Sequence, residues 1–336
     1  MGVMMPVRII NKIFNFINRY WDAKFTFHSR SFKHESYNFC QIVDGFSEES
    51  KVGIVVQGPI HTNPDVTLNT LLLYKRMFPK SYIILSTWND ADQKLVSNIR
   101  SSGIDVLLNN KPPIDGAHNV NLQILSTLNG IKAASENGCK YVLKTRTDMR
   151  FTRYTSLSAL LGLLATFTSN NLSSSMGRII EVGSTACRFR PWSLCDLFQF
   201  GHINDMVDFW SLEFDSRDCR ASDFFSIQRT PREVSEHNVA EIYLHRKYAE
   251  KLGYKTGFNP LDYYEFIKNE ILIIDKEMLD LAWFKYDSTE YSWVGDPVYG
   301  SNQALSRIHF FEWMLIYLGQ EVKIDTLELF LDKYER

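Results

Sequence analysis

The chain has 336 residues, 45% of them hydrophobic and 23% charged, with a formal net charge of -2. This composition can bury a core, and it excludes both a disordered chain and a whole-chain basic footprint for nucleic acid. The five cysteines (Cys40, Cys139, Cys187, Cys195 and Cys219) are scattered without a CxxC pair, which argues against structural zinc and fits reduced thiols, and no run of eighteen apolar residues offers a spanning helix.

Residues 7–27 read VRIINKIFNFINRYWDAKFTF. Ile9, Ile10, Ile13, Phe14, Ile17, Tyr20 and Trp21 recur at helical spacing, while Arg8, Lys12, Arg19 and Lys24 face elsewhere. The stretch lacks the uninterrupted apolar core and small-residue cleavage site of a signal peptide. A basic amphipathic helix of this kind either lies on an anionic membrane surface or packs on its own domain. Residues 28–50 are polar and irregular, and read as a connector.

KVGIVV (51–56) is a short β-branched run closed by Gln57-Gly58-Pro59, which predicts a buried strand feeding a glycine-proline loop. A helix is expected over 64–78, stopped by Pro79. A second strand follows over 81–86 and runs into Thr87-Trp88, then a helix over 90–101 and a third strand over 104–108. A long helix is expected over 119–136, and a fourth strand over 140–144 that runs into Arg146-Thr147-Asp148. Continuous apolar strands alternating with helices predict a mainly parallel sheet covered on both faces. Ligands then bind beyond the carboxyl ends of the strands.

Past residue 150 the pattern loosens. A Leu-rich helix and a strand over 178–182 are expected within 155–183, then a loop and helix around Asp196 within 191–210. Residues 232–252 read as one amphipathic helix. The tail reads as mixed strand and helix, with a charged helix near 322–333. No repeat or linker divides the chain. Residues 1–50 are taken as a helix and connector, and 51–336 as one catalytic domain with a nucleotide-binding half (51–150) and an acceptor half (151–336).

No GxGxxG follows the first strand, and GxxxxGK[ST], HExxH and GxSxG are absent. An acidic residue after a central strand remains, in YVLKTRTD. Asp148 there is well placed to hold Mg²⁺ or Mn²⁺ against a pyrophosphate. The plainer roles are a helix cap or a partner for Arg146.

The runs IVVQGPI (54–60), YKRMFPKSYIILSTW (74–88), NVNLQILSTLNGIKAA (119–134) and YVLKTRTDMR (141–150) resemble the WavE lipopolysaccharide synthesis family. Weaker likeness continues through 191–210 and 240–253. The resemblance implies an α/β GT-A (Rossmann-like) glycosyltransferase. Such an enzyme passes sugar from a nucleotide sugar, by the fold's habit a UDP-hexose, to a glycan or polyprenol-linked acceptor. It implies bacterial surface polysaccharide synthesis in the cytoplasm, at the inner face of the inner membrane, without nucleic acid. Gln57, Gly58 and Pro59 match the family's QGP run, Thr87 and Trp88 its STW run, and Arg146, Thr147 and Asp148 its RTD run. These would cradle the nucleotide, joined by Asn121 or Gln123. Those two lie two apart on one helix, so at most one faces the ligand. RTD departs from the usual Asp-x-Asp. Asp148 is the expected ligand for Mn²⁺ or Mg²⁺, and Arg146 offers an alternative positive charge for the pyrophosphate.

An inverting transfer needs a carboxylate to take the acceptor's proton, whereas a retaining one does not. Asp196 and Glu241 are the candidates, with Glu236 and His237 nearby. The plain alternative for Glu241 is a first-turn acid favoured by its helix dipole. His309 is a candidate C-terminal metal ligand, weighed with His118, although a satisfied histidine is the simpler reading of each. Two rival classes stand beside the glycosyltransferase. A nucleotidyltransferase would want basic residues after the first strand, which QGPIHT lacks. A membrane-associated scaffold of the same fold would bind no nucleotide.

Deleting residues 1–27 should move the protein from the membrane to the soluble fraction on cell fractionation. An unchanged distribution with lowered stability would show instead that the helix packs on its domain.

Overall fold

The computed structural model describes residues 12, 33–36, 52–62, 65–168, 176–227, 229–284 and 307–320. The basic helix expected within 7–27 and the charged helix expected near 322–333 lie outside the described residues, as does the connector apart from a 3-10 turn at His34–Ser36. The chain divides into two compact units, Met1–Asn38 and Phe39–Arg336. The sheet and its helices belong to the second.

Strands β1 (Val52–Gln57), β2 (Tyr82–Trp88), β3 (Asp105–Asn109) and β4 (Tyr141–Arg146) are parallel, with β1 between β2 and β4. β1 is buried along its whole length, as a β-branched run covered on both faces must be. Helices α1 (Val66–Met77), α2 (Gln93–Ser101) and α3 (Val120–Glu136) make the crossovers. Asp92 caps α2 by accepting from the Lys94 and Leu95 amides at 2.8 and 3.4 Å. α3 lies hard against the sheet at Gly130, where an added Cβ would fall 2.5 Å from Val55 Cγ1.

Past β4 a short strand β5 (Met149–Phe151) and helix α4 (Ser156–Thr166) lead to β6 (Ile179–Val182). β7 (Gln199–His202) pairs antiparallel with β4, and β6 pairs antiparallel with β7. α5 (Ile203–Trp210), α6 (Ala221–Phe224), α7 (Pro231–His237), α8 (Ala240–Lys251) and α9 (Pro260–Glu270) follow. β8 (Ile271–Ile274) then pairs parallel with β6. Among the described residues the order is β3-β2-β1-β4-β7-β6-β8, a seven-stranded and mostly parallel sheet. Its first four strands repeat the 3-2-1-4 half of a doubly wound sheet. β9 (Leu281–Trp283) pairs antiparallel with β5, and α10 (Phe310–Tyr317) packs near β8.

The parallel half follows the sequence reading to within a few residues. The second half departs from it in two places. The loop and helix expected within 191–210 are present as the loop 191–198 that carries Asp196 and as α5, but QFGH between them forms the interior strand β7, so the helix does not surround Asp196. The single helix expected over 232–252 is two. Asn238 adopts a left-handed conformation (φ 55°, ψ 60°) that ends α7. Asparagine tolerates that region, and tertiary bonds hold it there. Arg217 Nη2 donates to the Asn238 carbonyl at 2.9 Å, and Arg246 Nη1 donates to its side-chain oxygen at 2.8 Å. Apolar periodicity passes through such a break unchanged.

Gly58 closes β1 with φ 121°. An added Cβ there would sit 2.9 Å from Thr147 Oγ1. Gly58→Ala should therefore destabilise the protein by about 2 kcal/mol in urea unfolding, from backbone strain and the displaced threonine.

Candidate active site

β4 ends on a locked charge pair. Arg146 Nε donates to Asp148 Oδ1 at 2.9 Å, and Arg146 Nη2 donates to Oδ2 at 2.8 Å. Asp148 is only 2% exposed, whereas the Arg146 side chain keeps 20% of its surface open. The Trp283 ring lies under the guanidinium, 5.7 Å from Cζ. Burial works against the ionised Asp148, but Arg146 and the Trp283 indole outweigh it and hold its carboxyl below the usual range. Phe284 N donates to the Asp148 carbonyl at 2.8 Å, so the strand pair β5–β9 brings the C-terminal segment onto this corner.

The other strand ends join the same corner. Thr147 N donates to the Gln57 carbonyl at 3.0 Å, and Thr67 Oγ1 donates to the Thr147 carbonyl at 3.1 Å. Pro59 is exposed beyond Gly58. Beneath it runs a buried polar layer. Ser126 Oγ donates to Gln57 Oε1 at 3.0 Å, Asn109 Nδ2 to Ser86 Oγ at 2.9 Å, and Asn129 Nδ2 to Asn109 Oδ1 at 2.9 Å. Gln57 thus ties β1 to α3. Thr87 Oγ1 and Gln123 Oε1 are buried without a partner, and Trp88 is buried beside Thr87. One of these oxygens lies near the end of β2 and the other in the first turn of α3, and buried oxygens of this kind ordinarily accept a hydrogen bond. Asn121 has no such freedom. Its amide nitrogen donates to the Ile114 and Asp215 carbonyls at 3.0 and 2.8 Å, and its oxygen accepts from Asp215 N at 2.7 Å.

A second charged group faces the antiparallel half. Lys144 is fully buried in β4. It donates to the Asp196 carbonyl and lies 4.9 Å from the Trp210 ring centroid. Burial pushes its ammonium down to about 8, while Asp196 and Asp148 pull it up and Arg146 pushes it further down. Lys144 is therefore the electrostatic link between the Asp148 corner and Asp196. Asp196 in turn acts on Glu241, whose carboxyl is raised by burial and by this like charge, against the pull of Arg190. Glu241 stands in the first turn of α8. Beneath them Glu181 and His245, both fully buried, pair at 2.8 Å. Glu181 also accepts from Gln199 Nε2 at 2.7 Å and Cys195 N at 3.0 Å.

The structure brings Gln57, Gly58, Thr147, Asp148 and Arg146 to one corner, and leaves Asp196 within electrostatic reach of Glu241. It turns Asn121 away, toward the segment after α5. His309 binds Asp275 at 2.9 Å at the start of α10, and is thereby satisfied. Sequence reasoning passed over Lys144 and Trp283. A lysine inside the apolar run YVLKT was a visible signal for the first. Nothing in the sequence brings Trp283 to Asp148.

The corner does not fit a divalent cation as its donors stand. It offers one carboxylate, and both oxygens already accept from a guanidinium. Among the described residues Asp148 belongs to no cluster of three metal-ligating side chains. The fixed positive charge of this corner is Arg146.

A doubly wound half-sheet continued by an antiparallel strand, with its polar site at the strand ends, defines an α/β protein of the GT-A type. The chain belongs to the WavE lipopolysaccharide synthesis family, whose profile matches residues 52–322. No curated protein matches it in sequence. Among solved structures it is similar to a cytidylyltransferase from Leptospira borgpetersenii, at 11% identity and a TM-score of 0.34, covering 84% of this chain and 98% of that one. It is also similar to a glycosyltransferase involved in glycosylating the major capsid of PBCV-1, at 9% identity and a TM-score of 0.33, covering 71% and 97%. A 4-diphosphocytidyl-2C-methyl-D-erythritol synthase from Anaerococcus prevotii matches at 12% identity and a TM-score of 0.34, covering 53% and 84%. Among the described residues no helix is long and apolar enough to cross a membrane.

The unfolded chain holds the Lys144 proton up to its ordinary value of 10.5, and the folded chain only to about 8. The cost of burying the charge is complete below pH 8 and gone above pH 10.5, so Lys144's contribution to stability rises with pH across that window. Urea unfolding of wild type and Lys144→Met should show the difference shifting toward wild type by about 3 kcal/mol over that interval. A pH-independent difference would mean that the ammonium keeps its ordinary affinity.

Proposed function

We propose that the protein is a glycosyltransferase that moves a hexose from UDP to a polyprenol-linked or oligosaccharide acceptor in bacterial surface polysaccharide synthesis. One observation carries the reading: a guanidinium fixed by a buried carboxylate at the end of the central strand, in a chain of a lipopolysaccharide synthesis family. The diphosphate meets Arg146, while Asp148 and Trp283 hold that group and do not touch substrate. The exposed Pro59 and the unpaired oxygens of Thr87 and Gln123 face the nucleoside.

The acceptor oxygen forms the new bond to the sugar's anomeric carbon as the bond from that carbon to the diphosphate breaks. The bond's electrons leave with the nucleoside diphosphate, whose growing charge Arg146 stabilises without reorganising. The acceptor's proton passes to the Asp196–Glu241 pair. Burial and then the like charge of Asp196 raise Glu241, the direction that suits a base. The basic segment of residues 7–27 brings the enzyme to the inner face of the inner membrane, where a polyprenol-linked acceptor resides.

The test is nucleoside diphosphate release from UDP-hexoses with polyprenol-linked acceptor. Arg146→Ala and Asp148→Ala should each lower kcat/KM about a hundredfold, and the double variant no further, because the two act as one unit. Transfer should survive EDTA. Loss restored only by Mn²⁺ would place a cation at Asp148 in place of the guanidinium. Unfolding of Asp148→Ala would make that residue structural. Release of pyrophosphate from a nucleoside triphosphate and a sugar phosphate would replace the reading with a nucleotidyltransferase.

A further inference from the structure

We propose that His118, Cys219 and His237 form a binding site for one zinc-class transition-metal ion, separate from the diphosphate corner. Their ligand atoms all lie within 4.8 Å of one another. The two Nε2 atoms are 3.1 Å apart, and Cys219 Sγ is 3.7 Å from His237 Nε2. A tetrahedral zinc ion with ordinary bond lengths sets its ligands about 3.4 Å apart for two nitrogens and about 3.6 Å for nitrogen and sulfur. The His118–His237 and Cys219–His237 separations therefore lie within a few tenths of an ångström of that geometry, and the Cys219–His118 separation, within 4.8 Å, closes on the ion by up to about an ångström. One thiolate and two imidazoles are a borderline-soft donor set that favours zinc over magnesium or calcium.

The surroundings are built to hold these groups in place. His118 sits in a left-handed conformation (φ 56°) in the 3-10 turn Ala117–Asn119, a costly state for a residue with a Cβ. Its backbone amide donates to the Cys219 carbonyl at 2.9 Å, which aligns two of the ligands through the main chain. The His237 ring lies flat on Phe224, with centroids 3.7 Å apart and planes 6° apart, and Phe224 and Phe225 pack edge-on against His118. Asp215 and Arg217 are the charges that act on both histidines. They neutralise each other through Nη2 to Oδ2 at 2.6 Å, and Arg217 also donates to the His237 carbonyl. All three ligand residues are half-buried, so a fourth position stays open to water. Burial, each other's proximity and Arg217 push His118 down to about 4, and burial first and then Arg217 also lower His237.

The three ligands come from the turn before α3, the segment between α5 and α6, and the end of α7. Asn121 clamps the second of these segments through Asp215. Ser126, two turns into α3, touches the end of β1. The site therefore sits beyond the strand ends, where an ion would fix the rim of the cleft.

The test uses the full-length, reduced and chelator-stripped protein titrated with Co²⁺. We expect one equivalent to bind with a thiolate-to-cobalt charge-transfer band that Zn²⁺ then removes. Cys219→Ser should abolish the band, His237→Gln should weaken binding more than about tenfold, and Cys187→Ser should change neither. Zn²⁺ should also shield Cys219 of the wild type from iodoacetamide, which is independent of how any variant folds. No band at one equivalent, a band that persists in Cys219→Ser, or unprotected alkylation of Cys219 would each overturn the proposal. None of these readouts depends on sugar transfer.

Discussion

Both oxygens of a buried carboxylate grip one guanidinium where β4 ends, and the rest of the site is arranged around that grip. A carboxylate taken out of water must be compensated, and removing a partner from such a pair leaves an uncompensated charge costing about 3–5 kcal/mol. Asp148 therefore cannot release Arg146 without a substitute cation. The pair also cannot drift, because β4 is pinned between β1 and β7 and the Asp148 carbonyl is tied to Phe284. Arg146 is thus a rigid, half-open positive group at the strand ends, where a diphosphate would arrive. The single Asp of RTD, which departs from Asp-x-Asp, makes sense on this basis. The residue in place of the first acid carries the charge that a metal would otherwise supply.

The second half of the sheet meets a different demand. β7 runs against β4, and it places Gln199 opposite Lys144. The fully buried lysine is balanced by the Asp196 carbonyl, the Trp210 face and the nearby carboxylates. Beneath it the Glu181–His245 pair, with Gln199 and the Cys195 amide, fills the remaining hydrogen bonds. Satisfied in this way, buried charge can be retained at modest cost and it specifies one arrangement of β6, β7 and α8. Asp196 is near enough to this arrangement for its charge to act on Glu241.

The parallel half was legible because its signals are local. Unbroken apolar strands, proline stops and the Asp92 cap each act within a few residues, and the polar strand ends followed from topology. The antiparallel half was not. QFGH carries no alternation and lies at the centre of the sheet because β4 and β6 flank it. The break at Asn238 is held by Arg217 and Arg246, which are distant or pass unseen beneath the helical periodicity. Individual site residues divided along the same line. Asp148 and Arg146 stood out at the end of a clear strand, while Asn121, equally polar and close by, is consumed by a clamp to residue 215 that no spacing rule encodes.

The same distinction explains why cysteine spacing is blind to a three-ligand cluster of this kind. Spacing rules capture ligands that one hairpin or one helix brings together. His118, Cys219 and His237 are brought together by the long-range fold, through a strained turn, a backbone bond between residues 118 and 219, and an aromatic wall. Each of these serves the placement of the rim, and each costs conformational freedom that packing at that rim must offset. One side of the rim is loosely packed, since α6 has no buried residue and Phe225 is exposed, while Ala117 and Val234 anchor the other. Coordination would be a local interaction strong enough to hold the looser side. The strand-end corner carries a fixed positive group in the guanidinium locked on Asp148. The rim has a salt-bridge lock of its own in Asp215 and Arg217, and the three convergent donors stand beside it.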